Sequence, residues 1–136
     1  MMSDAPQMIF VNLPVRDLEK SKAFFSALGF TPNLTYTDEK AASFNISDTI
    51  MLMLLSEPFF ATFIDRPISD ARRQAQVILA LSSPSRAAVD ATLEKVLKAD
   101  GREPTPARDY GFMYQRSFED LDGHLWEVAH MDGEPG

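Results

Sequence analysis

Met8-Ile9-Phe10-Val11-Asn12-Leu13-Pro14-Val15-Arg16-Asp17-Leu18 is the stretch from which the fold can be read. Its first six residues form an apolar run rich in β-formers, as a short strand requires. Pro14 cannot donate to a ladder, so regular pairing is expected to stop there. Asp17 has the character of a helix N-cap, its carboxylate accepting from the free amides of the first turn. Beyond it Leu18, Ser21, Phe25 and Leu28 recur at helical spacing, Phe24 widens the stripe, and Gly29 closes the helix in the left-handed region. Three strand candidates follow, Leu34–Thr37, Ala42–Ile46 and Thr49–Leu55. The last is apolar on both faces and so should be covered on both.

The same order returns further along. Gln76–Leu81 reads as a second strand covered on both faces, and Ser83 with Pro84 as the cap and first residue of a helix. Val89, Leu93, Val96 and Leu97 give that helix its stripe, and Gly101 ends it. Arg102–Thr105 is a short strand candidate. Phe112–Glu119 and His124–His130 then form a hairpin around Asp120-Leu121-Asp122-Gly123, whose glycine accepts φ > 0. These residues predict an α+β domain of two β-α-β-β-β modules, spanning about 7–55 and 76–131 of a single 1–136 domain. Between them Ser56-Glu57-Pro58 can start a short helix that gathers Phe59, Phe60 and Phe63 on one side. That cluster, with Ile64, suits a core, a dimer contact or a lid.

Composition narrows the functions. A net charge of −7 with only Arg72-Arg73 as a local basic pair argues against a nucleic-acid partner. No apolar run approaches the ~20 residues that span a bilayer, so no membrane partner is expected. No basic segment followed by a long apolar stretch opens the chain, and there is no cysteine. These features predict a cytoplasmic (cytosolic) protein without disulfides or thiolate chemistry.

The segments Val11–Leu18 with Ser21, Phe24, Phe25 and Leu28-Gly29-Phe30, Val77-Ile78-Leu79-Ala80-Leu81, and Phe118–Glu127 together resemble the vicinal oxygen chelate superfamily. Its members include glyoxalases, bleomycin-resistance proteins, fosfomycin-resistance enzymes and extradiol dioxygenases. The closing hairpin has Leu121 where proline is usual. The resemblance implies curved mixed sheets enclosing a cavity, a small organic ligand or substrate, and frequently a homodimer. In metal-dependent members four strand positions hold a divalent ion. Here they fall at Phe10, near Leu52 with a register uncertainty of one, at Ile78 and at Glu127. Only Glu127 is a ligand type, so no metal cofactor is expected. Two alternatives remain open. One is a metal-independent binding pocket; the other is a glyoxalase-like lyase or isomerase, or a dioxygenase, with an unconventional divalent metal set such as Asn12, Gln76 and Glu127.

Alternation along the last strand puts Glu127 on the face opposite Trp126, Val128 and both histidines. If Glu119 pairs with His124, Arg116 lies opposite Glu127 on one face. Arg116 is then a bidentate anchor for a carboxylate or enolate, Glu127 a base or orienting acceptor, and these two are the candidate catalytic residues. Tyr114 and Phe118 share Arg116's face, and Asn12 with Met53 supplies an opposing wall, so these four are the candidate ligand-binding residues. The Asp120–Gly123 stretch lacks the later acidic positions of a calcium loop and is a turn.

Overall fold

A computed structural model describes residues 4–132, and these divide into two compact units, with the boundary between Ile68 and Ser69. The first unit runs β1 (Ile9–Val15), α1 (Leu18–Ala27), β2 (Thr31–Asn33), a 3₁₀ turn (Leu34–Tyr36), β3 (Ala41–Asn45), β4 (Ile50–Ser56) and α2 (Glu57–Ala61). The second runs β5 (Leu79–Ser82), α3 (Arg86–Lys98), β6 (Arg108–Asp109), β7 (Met113–Glu119) and β8 (Leu125–Met131). The two sheets have equivalent orders, β1-β4-β3-β2 and β5-β8-β7-β6. In each, the strand before the helix pairs parallel with the last strand, and the other pairs are antiparallel. This is the expected pair of β-α-β-β-β modules.

In the first unit α1 starts as its sequence dictates. The Asp17 carboxylate accepts from the Lys20 amide at 3.1 Å. At the other end Gly29 has φ 98°, with Phe30 N–H donating to Phe25 carbonyl and Gly29 N–H to Ser26 carbonyl, the two bonds of a Schellman closure. Phe24 and Phe25 meet edge to face, and Phe25 also approaches Phe44 of β3 at 6.3 Å. Phe44 registers with Leu52 of β4, so the buried Leu13, Val15, Ala42, Leu52 and Leu54 are on α1's side of the sheet. Met51 and Leu55 on the other side are buried too, as the double-sided apolar pattern of β4 required.

Two local expectations are corrected here. Pro14 does not end β1 but sits within it, registered with Leu55. β1 is an edge strand of its sheet, where a missing N–H costs the ladder least. The second strand is not Leu34–Thr37 but Thr31–Asn33, and Leu34–Tyr36 coils into the 3₁₀ turn. The Asn33 side chain accepts from the Thr35 amide at 3.2 Å, a local bond that competes with extended structure.

In the second unit α3 packs on β7 and β8, burying Val89, Leu93 and Val96 together with Phe118, Trp126 and Val128. Its cap is Ser85, accepting from the Ala88 amide at 3.0 Å, not Ser83. The Ser83 amide donates to Ala129 carbonyl at 2.7 Å and so continues the sheet, delaying the helix by two residues. A second Schellman closure ends α3, through Gly101 N–H to Val96 carbonyl and Asp100 N–H to Leu97 carbonyl. Its left-handed position is occupied by Asp100 at φ 71°, with Gly101 one residue further on. Gln76–Ile78 lies outside the fifth strand, which starts at Leu79, and Val77 and Ile78 are exposed. As an edge strand with one neighbour, β5 has no fully buried residue, against the expectation of cover on both faces. Arg102–Thr105 supplies only a single bridge, Arg102 with Glu119.

The β7–β8 hairpin contains the correction that matters most. Its first pair is Glu119 with Leu125, giving a five-residue connection rather than four. Asp120 organises it. Its amide donates to His124 carbonyl at 3.1 Å, and its carboxylate accepts from the amides of Asp122 and His124, both at 3.0 Å, and from the Trp126 indole N–H at 3.1 Å. Burial pushes the Asp120 carboxyl up, against His124 and these three donors, which favour its charged form. Gly123 at φ 92° completes the turn.

Candidate functional site

Because side chains alternate along a strand, one residue more in the turn moves a whole strand's partners to the other face. In the observed register Arg116 lies opposite Val128, and Ser117 lies opposite Glu127. Arg116 and Glu127 therefore point to opposite faces of the second sheet, and the predicted cross-strand pair does not exist.

Arg116 belongs to the α3 side. Its Nε and Nη2 donate to the two carboxylate oxygens of Glu103 at 2.8 Å each, a bidentate fork, and Nη1 donates to Asp90 of α3 at 2.9 Å. The Glu103 bonds raise the guanidinium above its ordinary pKa, against the cost of burial. Tyr114 and Phe118 do share this face, as expected. The Tyr114 hydroxyl donates to Asp90 at 2.6 Å, and the guanidinium of Arg86 lies 5.3 Å from the Tyr114 ring centre. That hydroxyl, then Arg116, holds the Asp90 carboxyl below its usual range, and the same bond raises the Tyr114 phenol. Phe118 is fully enclosed and stacks on Trp126 at 5.8 Å with 2° between planes. The face that was to hold a ligand is thus a helix-covered core edged by a saturated ion network.

Glu127 stands on the other face, away from α3, in a row with Ala80 of β5 and Ser117 of β7. Gln115 shares this face one step along and donates from Nε2 to Glu127 Oε2 at 3.3 Å. Beside Gln115, Arg108 of β6 is its registered partner. Ser117 Oγ and Thr105 Oγ1 are 2.8 Å apart. Gln115, Ser117 and Arg108 were not singled out from the sequence, although each follows from strand alternation once the register is known.

In the first unit Asn12 and Met53 are registered neighbours on the face opposite α1, and the row continues through Ser43 to Asn33. Asn12 is exposed and donates to its own neighbour's carbonyl, Phe10, at 3.3 Å. Ser43 Oγ is buried and is the one buried side-chain polar atom without a hydrogen-bond partner among the described residues.

The positions where relatives carry metal donors can now be tested. Phe10 is 58% exposed and Ile78 55% exposed, and neither has a lone pair to offer. Leu52 is on α1's side, so the β4 residues on Phe10's side are Met51 and Met53, whose soft thioethers suit hard divalent ions poorly. Gln76 precedes β5 and is exposed. Neither histidine joins Glu127. His130 is on Tyr114's face, its ring nitrogens 3.0 Å from Ser83 carbonyl and 3.0 Å from Asp132, and His124 lies in the turn. Among the described residues no three His, Cys, Asp or Glu side chains gather as a metal site. Of the positions that the resemblance names, Glu127 alone offers an oxygen donor.

Comparison with known proteins agrees with the architecture. Residues 7–47 match the family described as bleomycin resistance protein-like N-terminal. A hypothetical protein of S. aureus shares 28% identity, with TM-score 0.79, over 91% of this chain and 93% of that one. A glyoxalase-related enzyme of Fulvimarina pelagi superposes with TM-score 0.77 at 21% identity, covering 91% of this chain and 87% of its own. The fosfomycin resistance protein FosX of Mesorhizobium loti gives TM-score 0.67 at 18% identity, covering 90% of each chain. No curated protein sequence matches the chain. The two β-α-β-β-β sheets share the glyoxalase/bleomycin-resistance-like fold of these structures, and the match over residues 7–47 agrees with the resemblance of the N-terminal segment to the vicinal oxygen chelate superfamily.

Proposed function

We propose that the chain binds a small organic molecule without the divalent ion that metal-dependent relatives use. The observation that carries this is the donor set: of the four inherited metal positions only Glu127 offers an oxygen, and its observed partner is the Gln115 amide. One carboxylate beside an amide does not outcompete water for nickel, zinc, manganese or iron(II). The other surviving function, a lyase, isomerase or dioxygenase on an unconventional metal set, needs donors that the neighbouring positions do not supply. Structural likeness to a glyoxalase-related enzyme and to a fosfomycin resistance protein supports a small-molecule role of either kind.

The working unit in this proposal is a homodimer. Ile9 and Phe10 are exposed on edge strand β1, and Phe63 is exposed beyond α2, apolar surface that a second copy would cover. The location proposed is the cytoplasm; among the described residues no helix is long and apolar enough to cross a membrane.

The test is metal loading after chelation. Protein stripped with chelator and given each ion is expected to bind well below one equivalent with no change in melting temperature. Near-stoichiometric binding that depends on Glu127 and yields turnover of a hemithioacetal or catechol would replace this proposal with the metal-dependent one.

A further inference from the structure

We infer that the face of the first sheet opposite α1 takes an uncharged ligand through a carbonyl-type oxygen, with the Ser43 hydroxyl as its donor. The inference rests on the proposed small-molecule role and gives that ligand a chemistry.

Polarity is sorted between the two faces of this sheet. No residue of β1, β2, β3 or β4 is charged. Apart from Ser56 at the end of β4, their polar side chains (Asn12, Thr31, Asn33, Ser43 and Asn45) all lie opposite α1. A charged ligand would lose water there and find no counterion on these strands. An uncharged ligand with hydrogen-bonding atoms suits the face.

Ser43 is the group left open. It is 1% exposed, and its Oγ has no partner among the described residues. Its polar neighbours are committed to one another. The Asn33 side chain accepts from the Thr35 amide and donates to Asn45. The Thr37 hydroxyl donates to Asn33 carbonyl while accepting from the Ser43 amide. The second sheet shows the contrast. Asn12 lies five residues before the Asp17 cap and Ala80 five before the Ser85 cap. The row Asn12, Met53, Ser43 thus corresponds to the row Ala80, Glu127, Ser117. Ser117 Oγ has Thr105 Oγ1 at 2.8 Å, and the Ser43 hydroxyl lacks such a partner. A hydroxyl has one hydrogen to give. Leaving a buried donor unmet is costly, whereas an unused lone pair is tolerated more readily. The missing partner is therefore an acceptor.

The same row supplies a way in. The Ser43 amide turns away from β4 to Thr37, so Ser43 and Met53 form a non-hydrogen-bonded pair, the kind whose side chains lie closest. Met53 is half-buried, and beyond it Asn12 is exposed. The unbranched thioether chain can swing aside, which opens the two strand spacings, ~10 Å, between Asn12 and Ser43.

The experiment uses the full chain and two readouts. In the free protein Ser43→Ala should raise the melting temperature by about 2–4 °C, because the unmet hydroxyl is gone, and Ser117→Ala should not raise it. A Ser43→Ala value equal to or below that of the parent would show the hydroxyl to be satisfied already, by a trapped water for instance, and would overturn the inference. Calorimetric affinity is then measured for acetophenone against α-methylstyrene and for cyclohexanone against methylenecyclohexane, pairs in which CH₂ replaces the oxygen, with benzoate and benzamidine as charged controls. Each ketone should bind about fivefold more tightly than its alkene and more tightly than either charged probe. In Ser43→Ala the ketones should lose that margin and the alkenes keep their affinity. Tightest binding by a charged probe would refute the uncharged class. Equal affinity within each pair, in parent and variant alike, would refute the Ser43 donor and leave small-molecule binding standing. No binding by any probe would refute small-molecule binding at this face as well.

Discussion

Removing the guanidinium of Arg116 should destabilise the second unit far more than loss of an exposed ion pair would. The side chain is 20% exposed and Glu103 21%, while Asp90 is 47% exposed. Exposed pairs are worth about 0–1 kcal/mol, and breaking a fully buried pair costs about 3–5 kcal/mol because the surviving charge is stranded. Arg116 lies between these limits. Its bidentate contact with Glu103 is largely covered, and its third bond reaches a half-exposed Asp90 that keeps the Tyr114 hydroxyl. Arg116→Met should therefore cost about 2–3 kcal/mol, most of it from Glu103 left without a counterion. Urea melts of Arg116→Met, Glu103→Gln and the double variant would measure the coupling, expected above about 1 kcal/mol. The parallel cycle with Glu127→Gln should give a coupling within about 0.5 kcal/mol of zero, since that residue is on the other face. A Glu127 coupling larger than the Glu103 coupling would refute the register and the reasoning built on it.

Other outcomes follow from single positions. Gly123→Ala should cost at least about 2 kcal/mol, because the residue sits at φ 92° and an added Cβ would fall 2.8 Å from the backbone nitrogen of Arg72; a melting temperature close to that of the parent would show that the 69–76 segment yields freely. Asp100→Gly should stabilise by about 1 kcal/mol by placing glycine at the left-handed position of the α3 closure, measured by urea midpoint, and a destabilised variant would contradict that account. Asp90 has a folded pKa below its unfolded value of about 3.9, so its contribution is present above that value and fades as pH falls through the lowered one. Tyr114→Phe removes the largest cause of that shift, so the acid-side decline of the urea midpoint should become shallower; an unchanged slope between pH 5 and 2 would place the acid sensitivity elsewhere.

Much of the architecture was legible in the chain because it is determined locally. The Asp17 cap, the Gly29 closure, the double-sided apolar pattern of β4 and the alternation of β8 each depend on residues within a turn or two of one another. The order strand, helix and three strands, twice, followed from those signals alone. Errors arose where a local signal met a competing bond. Ser83 with Pro84 has the form of a helix start, but the sheet takes the Ser83 amide and Ser85 becomes the cap.

The candidate site depended on one quantity that the chain does not display, the number of residues in the β7–β8 turn. Asp120-Leu121-Asp122-Gly123 announces a turn but not whether His124 belongs to it. That is settled by the buried Asp120 carboxylate, which gathers two turn amides and the indole of Trp126, a core residue under α3. Because strand side chains repeat every two residues, that single added residue sent Arg116 to Asp90 and Glu103 and left Glu127 with Gln115. The sequence alone determined which strands and helices form and which residues alternate together. Tertiary contact at Asp120 decided which of those alternating sets meet, since register is an energy shared between strands and belongs to neither of them.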